Sequence, residues 1–263
     1  MDISYPVAPA QASTHTAASL VLVQIPWPLP ALLGDAVVIT HLRTLTIRSP
    51  PPSFPYIPGL LAFRELGPLL HLLSLLEDEE RPDVLLCDGQ GIAHPARCGL
   101  ASHLGVLTGL PSIGSAKSWF FGRLSEDEDD DRQEGGHPHH HHRPTFPNLG
   151  HHRGSRLPLY YSNSTFTATA THQQHQRREP ISHVLRSQPG INPIFVSPGH
   201  RFTLNQASQL VLALCTKYRL PDPIRMADHS SREALREWAA EAQRTETEDK
   251  TKDAQGEMSA LLS

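Results

Sequence analysis

Three acidic residues stand in apolar or turn contexts. Asp2 precedes Ile3, Glu65 follows Ala62-Phe63-Arg64, and Asp88 closes the run Leu85-Leu86-Cys87. A carboxylate at the end of a buried strand is costly unless hydrogen bonds or a cation offset it. Three such groups brought together would make a hard-oxygen site suited to Mg²⁺ or Mn²⁺. Such a site can activate water and hold phosphate oxygens during in-line displacement. Plainer readings exist for each acid. Asp88, ahead of Gly89, also fits a turn or helix cap, and Glu65 fits a first-turn glutamate favoured by the helix dipole. Spacing alone leaves both open.

The surrounding elements suggest how the acids are placed. Residues 83–87 read as a short strand buried on both faces, 89–91 as a turn, 95–107 as a helix and 111–116 as a second strand. This is a βαβ unit, with Asp88 and Lys117 at the carboxyl ends of parallel strands, the edge where α/β sheets carry their chemistry. Upstream, residues 18–25 and 35–47 are rich in Val, Leu, Ile and Thr and are separated by Pro26, Pro28, Pro30 and Gly34. They read as two strands of a meander. Residues 50–58 form a proline-stiffened loop holding Phe54 and Tyr56. Leu66, Leu69, Leu70, Leu73 and Leu76 then recur at helical spacing, closed by the acids at 77–80. Later segments predict strands over 181–186 and 192–197, an amphipathic helix over 204–218 and a helix over 225–242. The expected class is α/β, a central mixed sheet flanked by helices.

Composition limits the rest. An apolar content of 38% and a mean hydropathy of −0.33 are low for a packed chain of 263 residues, so part of it builds no core. That part is predicted at residues 124–178, acidic, then His-rich at 137–142, then polar, and is read as a disordered insertion. The histidine run is read as low-complexity sequence rather than a metal site. Residues 244–263 are expected to be a polar tail, which leaves 1–123 and 179–243 as the folded domain. The net charge of −4 signals no polyanion partner, although the acids crowd into 126–131 and the stretch after Arg232. Cys87, Cys98 and Cys215 form no CxxC pair, which excludes a zinc ribbon or a disulfide framework. No apolar run reaches the ~18 residues of a membrane span, and no signal pattern opens the chain. A monomeric intracellular protein, cytoplasmic or nuclear (nucleolar included), is the expectation.

Four ordered blocks carry a resemblance. Pro55-Tyr56-Ile57-Pro58-Gly59-Leu60-Leu61-Ala62-Phe63-Arg64-Glu65 resembles a signature of the endonuclease V family. So does Asp88-Gly89-Gln90-Gly91-Ile92-Ala93-His94-Pro95, continuing through Gly99-Leu100-Ala101-Ser102-His103-Leu104-Gly105. Pro111-Ser112-Ile113-Gly114-Ser115-Ala116-Lys117-Ser118 and Val196-Ser197-Pro198-Gly199-His200-Arg201 complete the set. The resemblance spans about residues 1–123 and 179–232. It implies an RNase H-like fold and a Mg²⁺-dependent hydrolase, Mn²⁺ substituting, that recognises inosine in single-stranded RNA or DNA. The second phosphodiester bond on the 3′ side is cut, leaving 3′-hydroxyl and 5′-phosphate ends, in nucleic-acid repair or inosine-RNA turnover. By the same resemblance Asp2, Glu65 and Asp88 are metal ligands, Lys117 lies near the scissile phosphate, and His94 and His200 line the site. Each histidine taken alone reads as a hydrogen-bonded structural residue. Tyr56, flanked by Pro55, Ile57 and Pro58, matches a wedge that stacks where a base is extruded. Gly59, Leu61, Gly89 and Gly91 match the surface that reads the base through main-chain groups.

Two departures accompany the match. Family members carry a helix and half a strand ahead of the Asp-Ile-Ser-Tyr element, whereas Met1 directly precedes Asp2 here. A shortened first strand implies a poorly held Asp2, weak metal binding and low activity, or an inosine- or single-strand-binding protein without catalysis. Gln90 stands where bacterial relatives usually have His, and its neutral amide still hydrogen-bonds.

Overall fold

A computed structural model describes residues 1–5, 15–29, 37–124, 145–161 and 179–261. The first strands form the expected meander. β1 (Asp2–Ser4), β2 (Thr16–Gln24) and β3 (Thr40–Ser49) are antiparallel neighbours, with Asp2 opposite Ser19 and Ala18 opposite Ile47. α1 (Leu61–Ser74) follows the proline loop. β4 (Leu85–Asp88) and β5 (Ser112–Ala116) are parallel, joined by α2 (Leu100–Thr108). β6 (Arg156–Leu159), β7 (Ser182–Leu185) and β8 (Ile194–His200) complete a five-stranded mixed sheet in the order β4-β5-β8-β7-β6. α3 (Leu204–Leu214) and α4 (Asp222–Leu261) follow.

Met1 joins the two sheets. Its ammonium donates to the carbonyl of Leu86 at 3.0 Å, and its carbonyl accepts the N–H of Asp88 at 3.3 Å. These bonds straddle Cys87 as between parallel strands, so β1 lies beside β4. The expected loose start is corrected: Met1 and Asp2 are both buried.

Alternation along β4 divides the core. Leu85 and Cys87 pack with Leu69 and Leu72 of α1 and Leu100, Ala101 and Leu104 of α2. Val84 and Leu86 pack on the other side with Val211 and Leu214 of α3. That is what a strand covered on both faces requires. A third cluster, Ala116, Leu149, Leu159, Val184 and Phe195, closes the β6 end.

Three boundaries differ from expectation. α2 begins at Leu100 rather than near residue 95, because Gly99 is extended and its N–H is tied to the Gly91 carbonyl at 2.8 Å. α3 stops at Leu214 rather than 218. Cys215 leaves helical geometry, and Arg153 takes the Leu212 and Cys215 carbonyls at 2.6 and 2.7 Å. α4 continues to Leu261, through the stretch expected to be a tail.

The expected insertion is corrected in part. Residues 145–161 are ordered: β6 pairs with β7, and Leu149 and Leu159 are buried. The polar residues around this stretch hid its few core leucines from a compositional reading. The His-rich run at 137–142 lies outside the described residues. Among the described residues no helix is long and apolar enough to cross a membrane.

Candidate active site

Each acid reaches the site from a different element. Asp2 is carried by β1, Asp88 by the carboxyl end of β4, and Glu65 by the first turns of α1, while Lys117 follows β5. All four line one cleft of about 1360 Å³. The sequence reading missed a fifth member, Asp228 of α4, which lines the same cleft. Its signal was present: Ile224, Ala227, Ser231 and Ala234 form the buried stripe of α4, and Asp228 sits beside it.

The carboxylates repel one another in poor solvent. Burial, then the Asp88 charge, pushes Asp2 up to about 7; Asp228 adds to the rise, against the Met1 ammonium and Lys117. Burial also pushes Glu65 up to about 8, with Asp2 and Asp88 adding, although the Tyr5 hydroxyl donates to Glu65 Oε1 at 3.0 Å. Lys117 Nζ lies 2.7 Å from Asp88 Oδ2. Burial would lower Lys117, but the charge and hydrogen bond of Asp88, with the charges of Asp2 and Asp228, together hold the ammonium above its ordinary value. Ser231 Oγ, buried under β1, lies 3.4 Å from Asp2 Oδ2. Lys117, the Met1 ammonium and Arg232, which pairs with Asp228 at 2.9 Å, face these four acids, and a hard divalent cation would offset more of the carboxylate charge. The donor set therefore fits Mg²⁺ or Mn²⁺ in chemistry. Among the described residues, however, no three acid, imidazole or thiol groups are gathered tightly enough to share an ion as they stand.

The wedge and base-reading residues divide. Tyr56 stands on the rim, 61% exposed, between exposed Pro55, Ile57 and Pro58. Tyr56, Gly59, Leu61 and Gly89 line the cleft, as do Gln90 and Phe120; Gly91 does not. A Cβ at Gly91 would come within 1.9 Å of the Pro198 carbonyl oxygen, so this glycine serves the chain's own β8 backbone.

The histidines divide too. His94 lines the cleft and braces it. The Ala96 N–H donates to Nδ1 at 3.1 Å, which leaves the proton on Nε2 to donate to the Gly59 carbonyl at 3.0 Å. Burial keeps this imidazole below its ordinary pKa, consistent with a neutral ring pinning the Tyr56 loop to the Asp88 loop. His200 lies elsewhere. It pairs with Ser112, the far end of β5 from Lys117, and packs under Gly105 of α2. Antiparallel pairing of β8 with β5 separates it from the cleft by the length of that strand.

Beyond Asp228 the cleft runs on along α4. Arg232, Arg236, Trp238 and Gln243 line it, with Arg48 from β3 opposite. Arg232 pairs with Asp228 at 2.9 Å, while Arg48 pairs with Glu241 at 2.7 Å and stacks over Trp238 at 4.7 Å.

The sheet order, the acidic strand-end cleft and its lysine define the class: a nuclease of RNase H-like fold. Comparison with known proteins narrows it. A sequence profile described as Endonuclease V matches residues 2–229. Endonuclease V of Azotobacter vinelandii is 42% identical over 198 residues, covering 75% of this chain and 72% of its own length. The crystal structure of the catalytic domain of human Endonuclease V superposes with a TM-score of 0.64 at 29% identity, covering 91% of this chain and 82% of that one. Ciona intestinalis Endonuclease V, solved with a DNA containing an inosine followed by a ribo-adenosine, gives 0.58 at 27% identity, covering 90% of this chain and 84% of that one. The chain belongs to the endonuclease V family and is an endonuclease acting on phosphodiester bonds.

Proposed function

We propose that this protein cleaves nucleic acid at inosine, hydrolysing the second phosphodiester bond on its 3′ side. The observation that carries this is the meeting of Asp2, Glu65, Asp88, Asp228 and Lys117 in one cleft with Tyr56 on its rim. The family membership and the inosine-containing DNA bound by the Ciona relative support it. Asp2 and Asp88, with Glu65 and Asp228, would hold Mg²⁺, Mn²⁺ substituting. When bound, the ion supplies an activated water and neutralises phosphate charge.

The chain's own groups do the rest. Water attacks phosphorus, the P–O3′ bond breaks, and the products carry 3′-hydroxyl and 5′-phosphate ends. The Lys117 ammonium, held charged by Asp88, is placed to offset negative charge developing on the phosphate. Tyr56 stacks into the gap left by the inosine base, whose extrusion costs a few kcal/mol. Gly59, Leu61 and Gly89, braced by His94, form the surface against which the base rests. The arginine limb along α4 takes the flanking phosphates.

Matched strands of RNA and DNA, each with one inosine or with adenosine in its place, test this with Mg²⁺. The expected result is one cut per inosine strand and none in the adenosine controls. Equal cutting of both strands removes inosine from the reading. Binding to inosine without cutting at saturating Mg²⁺ leaves a binding protein.

A further inference from the structure

Arg64 lies between two tyrosines. Its guanidinium carbon is 4.8 Å from the centre of the Tyr5 ring and 5.8 Å from that of Tyr56. Beyond Tyr5, the phenol hydroxyl donates to Glu65. The Arg64 Nε is buried and, among the described residues, has no hydrogen-bond partner. Arginines in folded proteins are commonly placed by a carboxylate fork. This one is flanked by ring faces instead.

The consequence falls on Tyr56. Its loop is exposed, and a ring there needs a support that leaves one face open. A cation under one face orients the ring without packing it into the fold. Arg64 is also the residue before Glu65 in α1, so its stem is rooted in the same helical turn as a site carboxylate. We propose that Arg64 is a positioning residue that couples the rim tyrosine to the carboxylate site through the stack Tyr56–Arg64–Tyr5–Glu65. The inference rests on the reading of Tyr56 as the base wedge. In this arrangement, insertion of Tyr56 into the strand and the setting of Glu65 are one linked adjustment.

A double-mutant cycle tests the coupling. Arg64→Met keeps the stem and removes the charged plane. It should lower single-turnover cleavage of inosine DNA about tenfold in the wild-type background and less than about threefold beside Tyr56→Ala, as for side chains acting through one another. Arg64→Lys, which keeps the charge without the plane, should fall between and stands in if the methionine variant does not fold. A second readout needs no cleavage. With 2-aminopurine placed 3′ to inosine and EDTA present, the fluorescence rise that marks unstacking should be strong for the wild type and weak for Arg64→Met. Multiplying losses in the cycle, or an undiminished fluorescence rise, overturns the coupling. So does a loss that disappears beside Tyr5→Phe but persists beside Tyr56→Ala. Failure of the wild type to cut inosine DNA strikes the functional reading instead.

Discussion

The N–H of Asp88 donates to the carbonyl of Met1 at 3.3 Å, so Asp2 and Asp88 sit on adjoining strands of one joined sheet. Neither backbone has to be ordered by an arriving ion, which is the condition for a preorganised site. Asp2→Ala and Asp88→Ala should each abolish cleavage while shifting the melting temperature by only a few degrees. Single-turnover assays beside thermal melts check this. Near-wild-type cutting by either variant removes that residue from the site.

Asp228 extends the set to α4. Its carboxylate adds to the charge that raises Asp2 and Lys117. Asp228→Asn should raise the Mg²⁺ concentration for half-maximal cleavage about tenfold or more, the loss expected when a metal-holding group is altered. A Mg²⁺ titration that superposes on the wild type shows that Asp228 only lines the wall.

The raised carboxylates give the metal-free protein a pH dependence of definite sign. Glu65 moves from 4.5 to about 8 and Asp2 from 3.8 to about 7, so the folded state holds protons that the unfolded state has released. The stability they contribute is full below pH 3.8 and is lost as pH rises through 7 and 8. In EDTA, the melting temperature should therefore fall between pH 6 and pH 9, with Glu65→Gln flattening the fall. Mg²⁺ should stabilise most at the alkaline end, where no proton has to be displaced. Calorimetry across that range reads both; a rising melt in EDTA contradicts the account.

His183 works in the opposite direction. Burial pushes its imidazole down from 6.5 to about 4, while Nδ1 shares a hydrogen bond with Ser208 at 2.8 Å. The unfolded state binds the proton more readily, so stability is lost as pH falls from 6.5 through 4, by at most about 3 kcal/mol. Urea titrations of the wild type and His183→Gln at pH 7 and pH 4.5 should show this extra acid sensitivity in the wild type alone.

β6 makes residues 145–161 part of the core. Leu159, 1% exposed, packs with Val184 and Phe195. Leu159→Ala should cost about 2–5 kcal/mol. Deletion of 126–176 should destabilise the fold rather than spare it. Denaturation midpoints decide, and an unchanged midpoint for either variant would show that the segment adds nothing to the stability of the fold.

What the sequence by itself determined was local. The turn glycines around Asp88, the prolines around Tyr56, the leucine period of α1 and the alternation of β4 are properties of neighbouring residues, legible without a fold. The four motif blocks, with the Asp-Ile-Ser-Tyr element that carries Asp2, held the family and most of the cleft: Asp2, Glu65, Asp88, Lys117, Tyr56, Gly59, Leu61 and Gly89 all reach it. The tertiary structure decided what depends on residues far apart in the chain. His200 follows Gly199 in a motif block, yet antiparallel pairing with β5 carries it to the far end of that strand. Asp228 lies 140 residues from Asp88 and enters only because α4 folds back across β1. Asp2, which a reading of one short strand leaves unsupported, is held by hydrogen bonds that Met1 makes to Leu86 and Asp88. Spacing along a chain reports one strand or one helix face. Pairing between strands and packing of helices decide which of those faces share a cleft.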